Sequence, residues 1–340
     1  MGFRFAVLMA MSTACFAQNY RAERLTDHDV EIVRLTDTAH AVEVSIVPSI
    51  GNRGYEMKVG GENILHFPAA DVGEFQKRPM LSGIPFLAPW ADLLSEPGFW
   101  ADGKHYTFNM ELGNVRGKMP GHGLLVNAPQ WRVTEVAADA HSAHVTSRLE
   151  FWRYPELAAQ WPFAHEYEMT YSLADGALEV RTTVTNLSDE PMPLVLGFHP
   201  YLRIPGVPRD EWTIHSPARI HVIPGEHNIP TGERRPLDIP NPLPVRGVKL
   251  DDGFTDLARD AAGRANFSIE AGSKKVEIIF GPKYTVATMW IPEGREFLCI
   301  EPLATIINGV NLAHEGKYPD LQSVPAGAKW TESFWIRATL

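Results

Sequence analysis

The sequence predicts an all-β protein, a large antiparallel β-sandwich with a few short helices. Three observations carry that expectation. Apolar and polar residues alternate with a period of two along many short stretches. Glycine and proline, 27 of each, are spread evenly and break those stretches with turns. Windows with helical spacing are few and short. Successive side chains of a strand point to opposite faces, so sustained alternation marks sheets that bury one face against a core.

The first 17 residues, MGFRFAVLMAMSTACFA, are expected to stand outside the fold. Arg4 precedes an apolar run from Phe5 that is too short to span a bilayer, and small residues close it at Ala17. That is the layout of a cleaved signal peptide, and it implies a periplasmic or secreted protein. Lipidation at Cys15 is disfavoured, because Ser12 stands where such signals carry an aliphatic residue. Residues 18–340 read as a single domain, since no composition shift, repeat or low-complexity tract marks a linker.

Strands are expected at 42–46 (VEVSI), 145–151 (VTSRLEF) and 178–184 (LEVRTTV), with a tight hairpin turn at Asp175-Gly176. Three more follow near the C-terminus, KKVEIIF at 274–280, TVATMWI at 285–291 and EFLCIE at 296–301. The turn segments GPKY and PEGRE separate them. Helices are expected at 73–78, 155–160 and 307–316.

Composition narrows the function. An apolar content of 44% supports a sizeable core. The formal charge of −10 argues against nucleic acid and against anionic membrane surfaces as partners. No later segment is long and apolar enough to be a membrane span. With the leader removed, Cys299 is the one remaining cysteine, so an intrachain disulfide and a cysteine-based metal site are both excluded.

Four places combine an ionisable group with turn-forming neighbours. His122 lies between two glycines in MPGHGLL, where the backbone can approach a ligand; the same pattern also fits a simple loop histidine. In LVLGFHPYL, Val195, Gly197 and His199 share one strand face, and Gly197 is expected to leave room for a ligand beneath His199. A histidine satisfied within the sheet fits equally, in a chain with 13 of them. Glu301 is expected to end the apolar strand of FLCIEPLAT, stopped by Pro302 as Pro200 follows His199. Such a carboxylate is either a surface group or one held in a cleft with its pKa raised by desolvation. Asp251 and Asp252 in KLDDGFTDL read as a solvated turn, and the spacing of an EF-hand is missing.

Taken together, these motifs resemble the aldose 1-epimerase (galactose mutarotase) family. GFHPYL and CIEP look like its histidine-proline strand end and its C-terminal glutamate-proline pair, in order and about a hundred residues apart. GHGLL resembles the family's earlier histidine-glycine element and LDDGF its later acidic loop. GIPFLAPW and GFWADGKHYTFN resemble its N-terminal half, so the likeness runs over roughly residues 28 to 338.

The resemblance implies a galactose mutarotase-like supersandwich that binds a monosaccharide in a cleft, as a monomer or weak dimer. It implies Glu301 as the base that takes the C1-hydroxyl proton, His199 as the acid that protonates the ring oxygen, and His122 as a second histidine nearby. Asp251 would hold sugar hydroxyls, with Trp90, Asp92 and Tyr201 expected among the substrate-binding residues. Such chemistry needs a base and an acid on either side of the hemiacetal, and no metal or other cofactor. One departure stands out. The family's usual Asn-Arg pair is replaced by Asp92-Leu93, and a leucine cannot reproduce an arginine fork; Arg53 or Arg78 would be the substitutes.

Other readings stay open at this level. They are a non-catalytic carbohydrate-binding protein on the same fold, a hexose-6-phosphate 1-epimerase, a glycoside hydrolase or lyase using Asp251 or Asp252 as second carboxylate, and a metal site of His122, His199 and Glu301.

Overall fold

The computed structural model describes residues 19–111 and 115–340; the expected leader and Cys15 lie outside the described residues. Among those described, strands dominate and pair antiparallel in three large sheets. The first is a meander of five, Tyr20–Asp27, Val30–Asp37, Val42–Val47, Arg53–Val59 and Glu62–Asn63. The alternation seen at 42–46 is one strand of it.

A nine-stranded sheet follows. Its first four strands, Arg132–Ala138, Ala143–Glu150, His165–Ala174 and Ala177–Asn186, run in chain order, and the turn at Asp175-Gly176 joins the last two. The C-terminal strand Lys329–Thr339 then inserts between Ala177–Asn186 and Lys274–Phe280. The third sheet has eight strands. Its centre is Leu250–Leu257, Val286–Ile291 and Leu298–Leu303, with the short strands Gly197–Phe198 and Tyr201–Leu202 both paired to Leu298–Leu303. One apolar core runs through all three sheets, with Met57, Tyr171 and Ile300 buried in it.

The three expected helices form as short turns, Val72–Lys77, Pro155–Ala158 and Gly309–His314. Asp71 caps the first, its carboxylate accepting from the Glu74 amide at 2.8 Å.

Two expectations near the site need correction. Glu301 does not end its strand: the strand continues through Pro302, which sits opposite Ala287, to Leu303. Asp251 and Asp252 do not form a turn; they lie in the strand Leu250–Leu257, opposite Trp290 and Met289. In both cases cross-strand pairing overrides the local turn signal of proline, aspartate and glycine.

Candidate active site

The site is built from sheet register. Across the Leu298–Leu303 strand, Gly197 pairs with Leu303 and Tyr201 with Cys299, so the same register sets His199 opposite Glu301. Between those two pairs the neighbouring chain leaves the ladder. The His199 amide donates instead to the Pro85 carbonyl at 3.1 Å, and Pro200 has no N–H to give. The break frees the His199 side chain from a regular strand while keeping it in register with the carboxylate. On the other side of Glu301 the register places Thr288, and one row along it places Trp290 beside both Cys299 and Asp251. Directly paired residues share a sheet face. Glu301, Thr288, Trp290, Asp251, Cys299 and Tyr201 therefore belong to one face.

The opposite face anchors the site. Phe198 turns into the core, 4.9 Å from the Phe86 ring and 4.8 Å from Phe334 of the nine-stranded sheet. With Phe198 fixed inward, its neighbour His199 faces the cavity.

Above that face lies a cavity of about 330 Å³. Glu301, His199, His122 and Tyr201 line it together with Asp92 and Asp251. Two further residues, Leu81 and Trp290, complete the wall. Nε2 of His199 stands 3.2 Å from Oε1 of Glu301. The rings of His122 and His199 meet edge to face at 5.6 Å, and Tyr201 stacks on His199 at 4.7 Å. Glu301 is 1% exposed, and its second oxygen has no hydrogen-bond partner among the described residues.

His122 and Asp92 arrive on loops. Both have left-handed backbone, with φ of 59° and 56°, and the His122 amide donates to the Asp92 carbonyl at 2.7 Å. Gly123 makes this possible: a Cβ there would come within 2.2 Å of the Ala88 carbonyl oxygen. Gly123 thus serves a close backbone crossing.

Burial pushes the Glu301 carboxyl well above the usual carboxylate range, and the charges of Asp92 and Asp251 push it the same way. Burial also pushes the His199 imidazole well below its ordinary value, helped by His122. Both directions have one cause, the cost of holding a charge away from water. A carboxyl and an imidazole in contact titrate as a pair. With one proton between them, moving it from Oε1 to Nε2 turns a neutral pair into a carboxylate base and an imidazolium acid. Cys299 lies buried on the same face, and burial raises its thiol well above the ordinary value, so it is no nucleophile.

Several expected roles are not met. Trp90 does not line the cavity; it is 1% exposed and stacks on Phe108 at 4.5 Å within the core. The space left by Gly197 is filled from within the protein, since a Cβ there would meet Leu303 at 2.1 Å and the Pro302 carbonyl at 2.8 Å. Arg53, expected as a substitute for the family's arginine, does not line the cavity. Its guanidinium is fully buried and donates to the carbonyls of Met80 and Val126 and to the Asn127 side chain at 2.6–2.8 Å. Desolvation lowers its pKa to about 10. Arg78 caps the first helix at its exposed C-terminal end and does not line the cavity. Trp290 and Leu81 were not singled out from the sequence. For Trp290 the sequence holds only its alternation with Thr288 on one face of TVATMWI; the register that gives that face to Glu301 comes from the structure.

The sheets thus bring a buried carboxyl–imidazole pair to the wall of a cavity of about 330 Å³. A model of the aldose 1-epimerase family matches residues 34–337, and the chain belongs to that family. Among solved structures it is similar to a galactose mutarotase-like protein from Clostridium acetobutylicum, with a TM-score of 0.84 and 22% identity over 95% of this chain and 99% of that one. A protein from Synechocystis sp. PCC 6803 superposes with a TM-score of 0.72 at 25% identity, over 97% and 99% of the two chains. Galactose 1-epimerase from Lactobacillus acidophilus NCFM matches at 0.70 with 11% identity, over 94% and 99%. The fold is therefore galactose mutarotase-like. No helix among the described residues is long and apolar enough to cross a membrane.

Proposed function

We propose that the chain is an exported aldose 1-epimerase, interconverting the α and β anomers of a free hexose such as glucose or galactose. The observation that carries this reading is the Glu301–His199 contact, buried on the wall of the cavity. Ring opening removes a proton from O1 and adds one to O5, two oxygens bonded to the same carbon. Adjacent base and acid groups therefore suit it. Glu301, with Oε2 unpartnered, accepts the O1 proton. His199 gives its proton to O5 as the C1–O5 bond breaks and the C1–O1 bond becomes a carbonyl. Rotation about C1–C2 and reclosure with the roles reversed yield the other anomer and restore both groups. His122, edge-on to His199, assists at the ring oxygen. Asp92 and Asp251 hold hydroxyls, and Trp290 and Tyr201 offer aromatic faces to the sugar's C–H side. No hydride, phosphate or bound nucleotide enters the balance.

Polarimetry on freshly dissolved α-glucose and α-galactose tests the reading. Catalysed approach to the equilibrium rotation supports it. Sugar binding without acceleration would favour a carbohydrate-binding protein instead.

A further inference from the structure

Thr288 stands directly opposite Glu301 in the third sheet and is 0% exposed. Directly paired residues share a face, with their Cβ atoms about 5 Å apart. The other cross-strand neighbour of Thr288 is Gly253, which has no side chain, and beyond Gly253 lies Val222. Val222 belongs to a buried apolar cluster with Val286 and Leu303. Of the two residues paired with Thr288, Glu301 alone can meet its hydroxyl with a side chain. Threonine and valine have the same shape, and a buried hydroxyl without a hydrogen bond costs stability, so packing alone gives no reason for threonine here. Neither Oγ1 of Thr288 nor Oε2 of Glu301 has a hydrogen-bond partner among the described residues. A buried donor and a buried acceptor thus occupy facing positions on one sheet face, and the threonine hydroxyl has several staggered positions to choose from.

We infer that Thr288 is a positioning residue for Glu301, its hydroxyl donating to Oε2 when the carboxyl is ionised. This rests on the epimerase reading above, in which Glu301 is the base. A carboxylate oxygen has two lone pairs, so Oε2 can accept from Thr288 and still face the O1 hydroxyl. Hydrogen bonds to an ionised acceptor are among the stronger ones. This one favours the carboxylate–imidazolium form of the Glu301–His199 pair over the neutral form, and so offsets part of the burial that holds Glu301 protonated. His199, His122, Tyr201, Asp92, Asp251 and Cys299 also face this carboxyl from neighbouring segments and set its titration together with Thr288.

The test compares the parent with Thr288→Val and Thr288→Ser. Infrared difference spectra over a pH series, with Glu301→Gln to assign the band, read the protonation of Glu301 without any sugar. Polarimetry on α-glucose and α-galactose reads the rate. Thr288→Val is expected to raise the Glu301 titration by about one pH unit and to lower kcat about tenfold, one lost hydrogen bond seen twice, while KM changes less than about twofold. Thr288→Ser keeps the hydroxyl and is expected to return both readings close to the parent. An unshifted titration in Thr288→Val would overturn the inference. So would a Thr288→Ser variant that behaves like Thr288→Val, because the methyl group rather than the hydroxyl would then matter. Should the titration shift while the parent anomerises no sugar, the Thr288–Glu301 hydrogen bond stands and the proposed reaction fails.

Discussion

Nε2 of His199 and Oε1 of Glu301 lie 3.2 Å apart, on neighbouring segments held in one register by the Gly197–Leu303 and Tyr201–Cys299 pairs. At this distance one proton can pass between the two partners. Burial holds the resting pair neutral, and moving its one proton from Oε1 to Nε2 makes the base and the acid without changing the pair's total charge.

His199→Asn keeps the size and polarity of the ring's place but removes the titratable nitrogen. The anomerisation rate is expected to fall by about 10²–10⁴, the usual range for a lost general acid. His122→Asn should lower it by less, because His122 meets His199 edge-on whereas His199 itself stands 3.2 Å from Glu301. Initial rates by polarimetry check both. A His199 variant at the parent rate would leave that residue as packing.

Glu301 also sets a pH signature in stability. Its folded-state pKa lies above the unfolded value of 4.5, so the unfolded chain loses its proton first as pH rises. The stability tied to the protonated carboxyl is present below pH 4.5 and is lost progressively as pH climbs through the folded pKa. Glu301→Gln has no such titration. Its melting temperature relative to the parent should therefore increase from pH 4 to pH 7. A constant difference across that range would contradict the buried, neutral carboxyl.

Arg53 links the segment that flanks Leu81 to the one that follows His122, through Met80 and Ser82 on one side and Val126 and Asn127 on the other. Arg53→Met would leave buried carbonyls without donors, at a cost of about 3–5 kcal/mol. Arg53→Lys should recover only part, since one ammonium cannot span both segments. Denaturant unfolding measures this, and a loss below about 1 kcal/mol would mean that water replaces the guanidinium.

The architecture was legible because period-two alternation reports a sheet with one buried face, and strands such as Val42–Val47 and Lys274–Phe280 show it directly. The short helix Val72–Lys77 carried its own signal in the Asp71 cap. Pairing was not legible. Pro302 read as a stop, yet in the ladder it occupies a position opposite Ala287 without ending the strand. Gly197 read as room for a ligand, but the side chain that fills the gap, Leu303, arrives from a strand about a hundred residues away. Trp90 sits in a motif next to a cavity-lining aspartate, and only tertiary packing tells that it faces Phe108. Arg53 offered no sequence sign that its charge is spent on carbonyls.

The central claim is that Glu301 is the base of a sugar anomerase, and one paired measurement addresses it. Parent and Glu301→Gln are run side by side in the polarimeter on α-glucose and α-galactose, with calorimetry on the same samples. The parent should accelerate the approach to equilibrium. The variant should bind within a few-fold of the parent yet lose nearly all of that acceleration, because an amide of the same shape cannot accept the O1 proton. Retention of a tenth or more of the parent rate by Glu301→Gln, or the absence of acceleration by the parent, would contradict the account.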